Sequence, residues 1–225
     1  MSSPVAVPSR RLFLASAALP FCAAPGAFAN YLSDLTKTPP QTEGPFYPNK
    51  LPLDTDNDLI VINDSLTPGV GEITHLTGKI LDAKGNPVKN AMVEIWQCDG
   101  NGVYLHTGDS ANKQDKQDKH FQGFGRFLTG SSGEYYFRTI KPVLYPQRPA
   151  PHIHVMVKQG NKKLLTTQCY IKGYAGNEKD FVYMAVKDAK QREAVTIEFA
   201  KMKGSKIGEL VANFDVVLGA TPEAK

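Results

Sequence analysis

From residue 72 onwards, short runs of apolar and β-forming residues alternate with turns rich in Gly, Pro and Asn. Many short strands separated by such turns are typical of an all-β protein built from two packed sheets. We therefore predict a two-sheet β-sandwich with long loops and little helix, at most near Asp188–Arg192 and at the start of the mature chain. Gly85 and Gly133 fall in predicted turns, and Trp96 is predicted to pack between the sheets. The predicted strands are Thr74–Leu81, Ala91–Gln97, Glu134–Thr139, His152–Lys158, Lys163–Ile171, Val195–Ala200 and Leu210–Leu218.

Residues 30–70 lack this alternation and are interrupted by prolines. Proline has no backbone N–H and a fixed φ, so a segment with several prolines does not form a regular helix or a central strand. We predict an extended Pro-rich N-terminal arm at residues 30–70, ahead of a β-sandwich domain at residues 71–225. Residues 31–53 of the arm are candidates for contacting a neighbouring copy in a homo-oligomer. The prolines are Pro39, Pro40, Pro45, Pro48, Pro52 and Pro68.

The first 29 residues have the features of an export signal. Arg10 and Arg11 directly precede an apolar stretch from Leu12 to Phe21, and Ala27-Phe28-Ala29 offers small residues at alternate positions for a signal peptidase. Paired arginines followed by Leu-Phe-Leu indicate the twin-arginine route of bacteria, with an ordinary secretory signal as the alternative. The apolar stretch is too short to span a membrane. We predict a twin-arginine signal peptide at residues 1–29 and a periplasmic or secreted mature protein.

Charge gives little indication of a macromolecular partner. The 225-residue chain has a formal net charge of +4, and removal of the two arginines of the signal lowers it to +2. A nearly neutral protein offers no case for binding nucleic acid or an anionic membrane. The remaining chain is long enough for one domain with a substantial core.

Two cysteines, Cys98 and Cys169, follow the signal. An oxidising compartment permits a disulfide between them, and two buried free thiols are equally compatible with the sequence. Their spacing is not that of paired zinc ligands.

The motif with the clearest chemistry is His152-Ile153-His154. Side chains alternate across a strand, so the two imidazoles share one face while Ile153, Val155 and Val157 face the other, which is the natural core face. Two histidines in this arrangement suit a metal ion, although a structural or exposed pair would look the same in the sequence. A further ligand is required, and Tyr145 lies seven residues before the pair.

Several segments resemble the intradiol ring-cleavage dioxygenases, and the protocatechuate enzymes in particular. The segment Arg148–His154, preceded by Phe137–Pro142 and by Tyr145-Pro146, carries the strongest likeness. The other similar segments are Thr42–Pro48, Val93–Gln97 continuing to Gly102-Val103-Tyr104, Phe121–Arg126 and Thr167–Tyr170. They occur in the order of the family from about residue 39 to residue 218, which is nearly the whole mature chain.

This resemblance implies a non-haem Fe(III) enzyme with one ion per chain, bound by Tyr104, Tyr145, His152 and His154. Its substrates would be a catechol-type compound and O2, and its product a cis,cis-muconate-type diacid. Tyr145 would also accept a substrate proton. Arg148 and Gln168 would polarise the substrate, and Gly44 and Pro45 would line its pocket.

The chain departs from the family pattern in two respects. Arg148 lies four residues before His152, where the family places its arginine three before, because Pro151 is additional. The role of Arg148 therefore depends on how the loop accommodates the extra residue. The helical N-terminal dimerisation domain of the catechol dioxygenases is also missing, so the protocatechuate-like form fits better.

Two other functions are compatible with parts of the sequence. Thr77–Val88 followed by Ala91-Met92-Val93 resembles the prealbumin-like sandwiches that serve as binding modules in secreted proteins. A zinc hydrolase using His152 and His154 is the second alternative, with its third ligand from His75, His106, His120 or a carboxylate.

Overall fold

Ten strands in two five-stranded sheets form the described part of the protein. The structure is a computed structural model that describes residues 35–63, 65–110, 113 and 115–222, which belong to one compact unit. The predicted signal peptide at residues 1–29 lies outside the described residues and stays a prediction. The strands are β1 (Ile73–Leu81), β2 (Met92–Trp96), β3 (Phe124–Leu128), β4 (Glu134–Ile140), β5 (His152–Gln159), β6 (Lys162–Ile171), β7 (Thr196–Ile197), β8 (Ala200–Lys201), β9 (Leu210–Asn213) and β10 (Val216–Val217).

The first sheet is organised around β1. This strand pairs antiparallel with β4 and parallel with both β9 and β10, while β8 joins the edge of β9. The prediction of one strand at Leu210–Leu218 is therefore wrong, because this segment forms the two strands β9 and β10. It breaks at Phe214 and Asp215, where the Asp215 carboxylate accepts a hydrogen bond from the Lys79 backbone N–H at 2.9 Å.

The second sheet has the order β3-β2-β5-β6-β7. Its central strands are antiparallel, and their register places Trp96 beside His154 and His154 beside Gln168. Two residues earlier on the same face of β5, His152 is paired with Tyr170 of β6. Strand pairing thus brings residues from three separate segments to one face of this sheet.

The core lies between the two sheets, as the alternation in β5 predicts. Ile153, Val155 and Val157 are fully buried in it. The predicted position of Trp96 between the sheets is wrong. Val93 and Ile95 occupy the core positions of β2, so alternation directs Trp96 to the outer face, where it packs in a second apolar cluster with Tyr104 and Tyr145.

Helix is sparse but exceeds the prediction. The helices are α1 (Thr107–Ser110), α2 (Phe181–Ala185) and α3 (Ala189–Ala194), with a 3₁₀ turn at Asn177–Lys179. The α3 helix confirms the predicted helical segment near Asp188–Arg192, and the Asp188 side chain caps it by accepting from Gln191 N–H. The α2 helix and the strand β3 are absent from the prediction, and Val195–Ala200 is two short strands that belong to different sheets.

Residues 35–63 and 65–70 contain neither helix nor ladder strand. Backbone hydrogen bonds attach this segment to its own sheets, from Thr38 N–H to Val217 at 3.0 Å and from Gln41 N–H to Thr166 at 2.8 Å. The boundary at residue 70 and a contact of the arm with a neighbouring copy stay predictions. No helix in the described residues is long and apolar enough to cross a membrane.

Cys98 and Cys169 are both buried free thiols, so they do not form a disulfide with each other. Cys169 lies in the core between the sheets, whereas Cys98 belongs to the apolar cluster on the outer face. Burial raises the pKa of Cys98 to about 12, with the nearby Asp99 charge adding to the effect, and burial also raises the pKa of Cys169.

Neither thiol is expected to react with iodoacetamide at pH 8 while the protein is folded. Because burial raises the pKa of both thiols, very little thiolate is present at pH 8, whereas an ordinary thiol is thiolate in roughly a quarter of molecules. Mass spectrometry of alkylated peptides checks this, with the urea-unfolded chain as the positive control. Labelling of either cysteine in the native protein at the rate seen in urea would contradict the burial of that thiol.

Candidate metal centre

A cluster of aromatic and imidazole rings covers part of the outer face of the second sheet. His152 and His154 come from β5, Tyr104 from the loop after β2, and Tyr145 from the loop between β4 and β5. The two tyrosine rings are 5.1 Å apart between centroids. Tyr145 lies 5.8 Å from His152, and Tyr104 lies 6.0 Å from His154. The structure thus brings the four predicted metal ligands together.

The Nε2 atoms of the two histidines lie side by side, and that of His152 presents a free lone pair. His152 Nδ1 donates to the Ala150 carbonyl at 2.8 Å, and because a carbonyl can only accept, Nε2 of this neutral ring is left without a proton. His152 Nε2 and His154 Nε2 are 3.2 Å apart. Two nitrogens each about 2.1 Å from one ion, at roughly 90–110° to each other, would be about 3.0–3.4 Å apart. The spacing therefore fits a shared metal ion.

Burial keeps both imidazoles neutral. It lowers the pKa of His152 to about 4, with the Arg148 charge adding to the effect. Burial also lowers the pKa of His154 well below its usual range, and the neighbouring His152 and Arg148 charges add to this. Neutral imidazole is the form that binds metals. The His154 ring stacks on Trp96 at 4.7 Å and 7° between planes, which fixes its orientation.

Tyr104 is a buried phenol whose hydroxyl has no hydrogen-bond partner among the described residues. Such groups are rare because an unpaired buried hydroxyl is costly. Burial raises the pKa of Tyr104 well above its usual value, with the neighbouring Cys98 and Tyr145 adding to the effect. Only a strong Lewis acid would hold this oxygen deprotonated, and a ligand position accounts for its isolation.

Two aspartates, which the sequence analysis did not identify, hold the loop that carries Tyr104. Asp99 Oδ1 accepts from the N–H groups of Asn101 and Val103, and Asp109 Oδ2 accepts from Tyr104 N–H at 2.9 Å. Gly102, at φ +75°, approaches the Leu144 carbonyl so closely that a Cβ would meet it. The two tyrosine loops are therefore packed directly against each other.

Tyr145 is buried beside a polar group of side chains that includes Arg148. Burial raises the pKa of Tyr145, and the positive charge of the Arg148 guanidinium opposes this increase. Arg148 Nη2 donates to Gln168 Oε1 at 3.1 Å and to the Tyr170 hydroxyl at 3.3 Å. Gln168 Nε2 donates to the Thr42 carbonyl at 2.9 Å. The structure thus places Arg148 and Gln168 together, next to Tyr145.

Asp180 completes this group and was not anticipated from the sequence. Its carboxylate forms a two-pronged ion pair with Arg148, at 2.5 Å to Nε and 2.6 Å to Nη2. The sequence offers one indication of a role for Asp180, which is its position as the capping residue before α2. This position predicts the start of a helix, but it does not predict the ion pair with a residue 32 positions away.

The arm supplies a third wall of the site. A Cβ on Gly44, which has φ +71°, would lie 3.4 Å from His154 Cε1, so a larger side chain would crowd the imidazole. Phe46 stacks on Tyr104 at 5.0 Å and meets the edge of Tyr145 at 6.0 Å. The Tyr47 hydroxyl anchors this segment by donating to Glu94 at 2.9 Å. Gly44 therefore borders the metal centre, whereas Pro45 is exposed.

The donor set suits a hard, oxidised ion better than zinc. Within the described residues, no group of three or more His, Cys, Asp and Glu side chains is placed to hold a metal. The groups beside the histidine pair are phenols, which are hard anionic donors when deprotonated. Of the other histidines considered, His75 bonds to Tyr136 and Glu209 in the first sheet, and His120 is exposed.

A β-sandwich with two buried imidazoles and two buried phenols grouped on one face has the kind of site found in metalloenzymes. A family described as dioxygenase matches residues 42–220. The chain is 33% identical over 165 residues to the protocatechuate 3,4-dioxygenase beta chain of Burkholderia cepacia, covering 68% of each chain. It is 31% identical to the catechol 1,2-dioxygenase of Acinetobacter baylyi, covering 65% of this chain but only 50% of that enzyme.

Solved structures agree with these relatives. The dioxygenase domain of a dioxygenase and carbohydrate-binding fusion from Streptomyces sp. SirexAA-E superposes with a TM-score of 0.62 at 25% identity, covering 83% of this chain and all of that domain. The chain therefore belongs to the intradiol dioxygenase family, whose members cleave the ring of catechol-type substrates with O2. This confirms the resemblance found in the sequence and favours it over the binding module and the zinc hydrolase.

Proposed function

We propose that this chain binds one ferric ion through Tyr104, Tyr145, His152 and His154. In this proposal it cleaves a catechol-type ring with O2 between the two hydroxylated carbons. The observation that carries the proposal is the convergence of two buried phenols on a neutral imidazole pair whose Nε2 atoms are 3.2 Å apart. When bound, the ferric ion would supply Lewis acidity and accept electron density from the substrate.

The overall reaction balances without a further reductant. One catechol and one O2 give one cis,cis-muconate-type diacid: the bond between the hydroxylated carbons breaks and both oxygen atoms enter the product. Tyr145 would take a proton from a substrate hydroxyl at its oxygen, in a general-base role that requires the phenolate form, which a bound ferric ion would stabilise. Arg148 and Gln168 would donate N–H groups toward developing negative charge on the substrate oxygens. Trp96 and Phe46 would keep water away from these polar groups.

We also propose that the mature protein works outside the cytoplasm, after export through a twin-arginine signal at residues 1–29. The paired Arg10-Arg11 and the Ala27-Phe28-Ala29 cleavage motif support this. The N-terminal mass of the chain recovered from the periplasm or medium tests it, and an uncleaved cytoplasmic chain would count against it. Assembly into a homo-oligomer through residues 31–53 is a further proposal, for which the mass in solution is the measurement.

The visible spectrum of the purified, iron-loaded protein tests the proposed function. We expect a broad phenolate-to-iron band that moves to longer wavelength when catechol is added without oxygen, and muconate-type product once O2 is admitted. A colourless protein with stoichiometric zinc would contradict the proposal and favour the hydrolase. A protein that takes up no metal after reconstitution with iron would favour the binding module.

A further inference from the structure

A buried ion pair joins Arg148 and Asp180 beside the candidate metal centre. The two side chains are 5% and 0% exposed, and both oxygens of the carboxylate are used. Of the five guanidinium N–H groups, those on Nε and Nη2 are thereby committed to Asp180, Gln168 and Tyr170, and the two on Nη1 remain for other partners. A two-pronged pair of this kind fixes the plane of the guanidinium.

Asp180 is itself held rigidly. Its Oδ1 accepts from the backbone N–H groups of Val182 and Tyr183, both at 3.0 Å, at the start of α2. The carboxylate of Asp180 therefore connects the start of α2 to the Arg148 side chain, and all of these contacts are buried. Its position is fixed by the backbone at the start of α2.

The loop before α2 also packs on the turn that contains the additional residue Pro151. Gly176 passes so close to the Pro149 carbonyl that a Cβ on it would overlap this oxygen. Pro151 itself is buried. The turn that holds the extra residue thus packs at Pro149 against the segment that leads to Asp180, and this segment supplies the carboxylate that orients Arg148.

Asp180 also offsets the charge of Arg148. A carboxylate and a guanidinium in direct contact have no net charge, so a ligand in the site experiences little of the guanidinium's positive potential. The guanidinium carbon lies 5.2 Å above the Phe181 ring. Phe181 lines a cavity of about 570 Å³ beside the site, and none of the four candidate metal ligands lines this cavity.

We propose that Asp180 is a positioning and specificity-determining residue. It holds the Arg148 guanidinium beside Gln168 and Tyr145, and it offsets the positive charge of Arg148. The site therefore takes catechols whose ring bears no anionic substituent. This inference rests on the proposed function and adds the substrate class to it. Asp180 acts through Arg148 and is not itself a catalytic residue.

Asp180→Asn tests the inference, since asparagine retains the shape and the oxygen that caps α2 but removes the charge. The kcat/KM values for catechol and for 3,4-dihydroxybenzoate are measured with the iron-loaded enzyme at one ionic strength. The wild type is expected to favour catechol by about tenfold or more. In the variant, kcat/KM for catechol should fall about 10- to 100-fold, mostly through kcat. The preference for catechol over the benzoate should shrink by about tenfold, because the charge of Arg148 is no longer offset.

Asp58→Asn is the matched control. Asp58 pairs with Arg138 of β4 in the other sheet, at 2.9 Å, so the same chemical change is made away from the site. Both kcat/KM values of this variant should stay within about twofold of the wild type.

Trp96 allows a measurement that does not depend on turnover. It is the only tryptophan of the chain and stacks on His154, so its fluorescence should respond to ligands in the site. In the metal-free wild type, phenol should bind more tightly than 4-hydroxybenzoate. Asp180→Asn should reverse or abolish this difference, and Asp58→Asn should preserve it.

Two outcomes would overturn the inference while leaving the proposed function intact. Equal losses for both substrates in Asp180→Asn, with an unchanged fluorescence preference, would reduce Asp180 to a structural role. A wild type that favours the benzoate would show that the ion pair does not keep anionic substituents out. Failure of the wild type to cleave any catechol, with no visible band, would instead reject the proposed function.

Discussion

Replacing His154 by alanine is expected to give a folded protein that retains little iron and has lost nearly all turnover. The change removes one of two Nε2 atoms that are 3.2 Å apart, and a single imidazole with two phenols is a poorer ligand set. Loss of residues that merely orient metal ligands typically costs 10- to 100-fold, so loss of a ligand should lower turnover by about a thousand-fold or more. Iron content by elemental analysis and oxygen uptake with catechol measure the two effects.

His75→Ala provides the control for the loss of a partly buried histidine. His75 bonds to Tyr136 at 2.7 Å and to Glu209 at 3.0 Å in the first sheet, away from the metal centre. Its replacement should lower the unfolding temperature yet leave the ratio of iron to protein and the visible band unchanged. Full iron occupancy and activity in His154→Ala would remove that residue from the proposed ligand set.

Replacing Tyr145 by phenylalanine is expected to change the visible spectrum and to lower kcat by about 100- to 1,000-fold, in the range of a lost general base. The phenyl ring keeps the packing against Phe46 and Tyr104, so the fold should persist. The hydroxyl near Arg148 is the only group removed. The phenolate-to-iron band should lose intensity and shift, because one of the two phenolate donors is absent. Absorption spectroscopy and steady-state kinetics check both effects.

Tyr135→Phe separates this effect from the general loss of a buried phenol. The Tyr135 hydroxyl donates to the Phe214 carbonyl in the core between the sheets. This variant should be less stable, but its spectrum and kcat should match the wild type. If Tyr145→Phe behaves in the same way, with an unaltered band and unaltered turnover, Tyr145 is neither a ligand nor a base.

The position of the histidine pair was predictable because it depends only on local geometry. Alternation along β5 directs His152 and His154 to one face and Ile153, Val155 and Val157 to the other, and the structure confirms this. The likeness of the tyrosine segments to one family provided the remaining ligands, which spacing alone leaves open. The two-sheet fold followed from the short runs and their turns, and Gly85 and Gly133 have the positive φ values that such turns favour.

The strands that the sequence analysis misjudged are those defined by their partners. Val195–Ala200 reads as one strand because its apolar residues alternate with Thr196 and Glu198, but its two halves pair with β6 and β9 in different sheets. Trp96 has the character of a core residue, and only the placement of Val93 and Ile95 between the sheets shows that it faces the metal centre. Both faces of β2 are buried, and the outer face carries Glu94 as well as Trp96, so the apolar character of Trp96 alone does not show which face it occupies.

The sequence by itself determined the class of fold, the family and the ligand candidates, since these follow from periodicity and from motifs of a few residues. The tertiary structure alone decided which charged groups meet. Arg148 and Asp180 are 32 residues apart, and no pattern in the chain pairs them. Their contact arises because the turn at Pro149 packs on Gly176, which carries the start of α2 to the guanidinium. Contacts of this kind depend on how loops pack in three dimensions, and that packing reflects the whole fold.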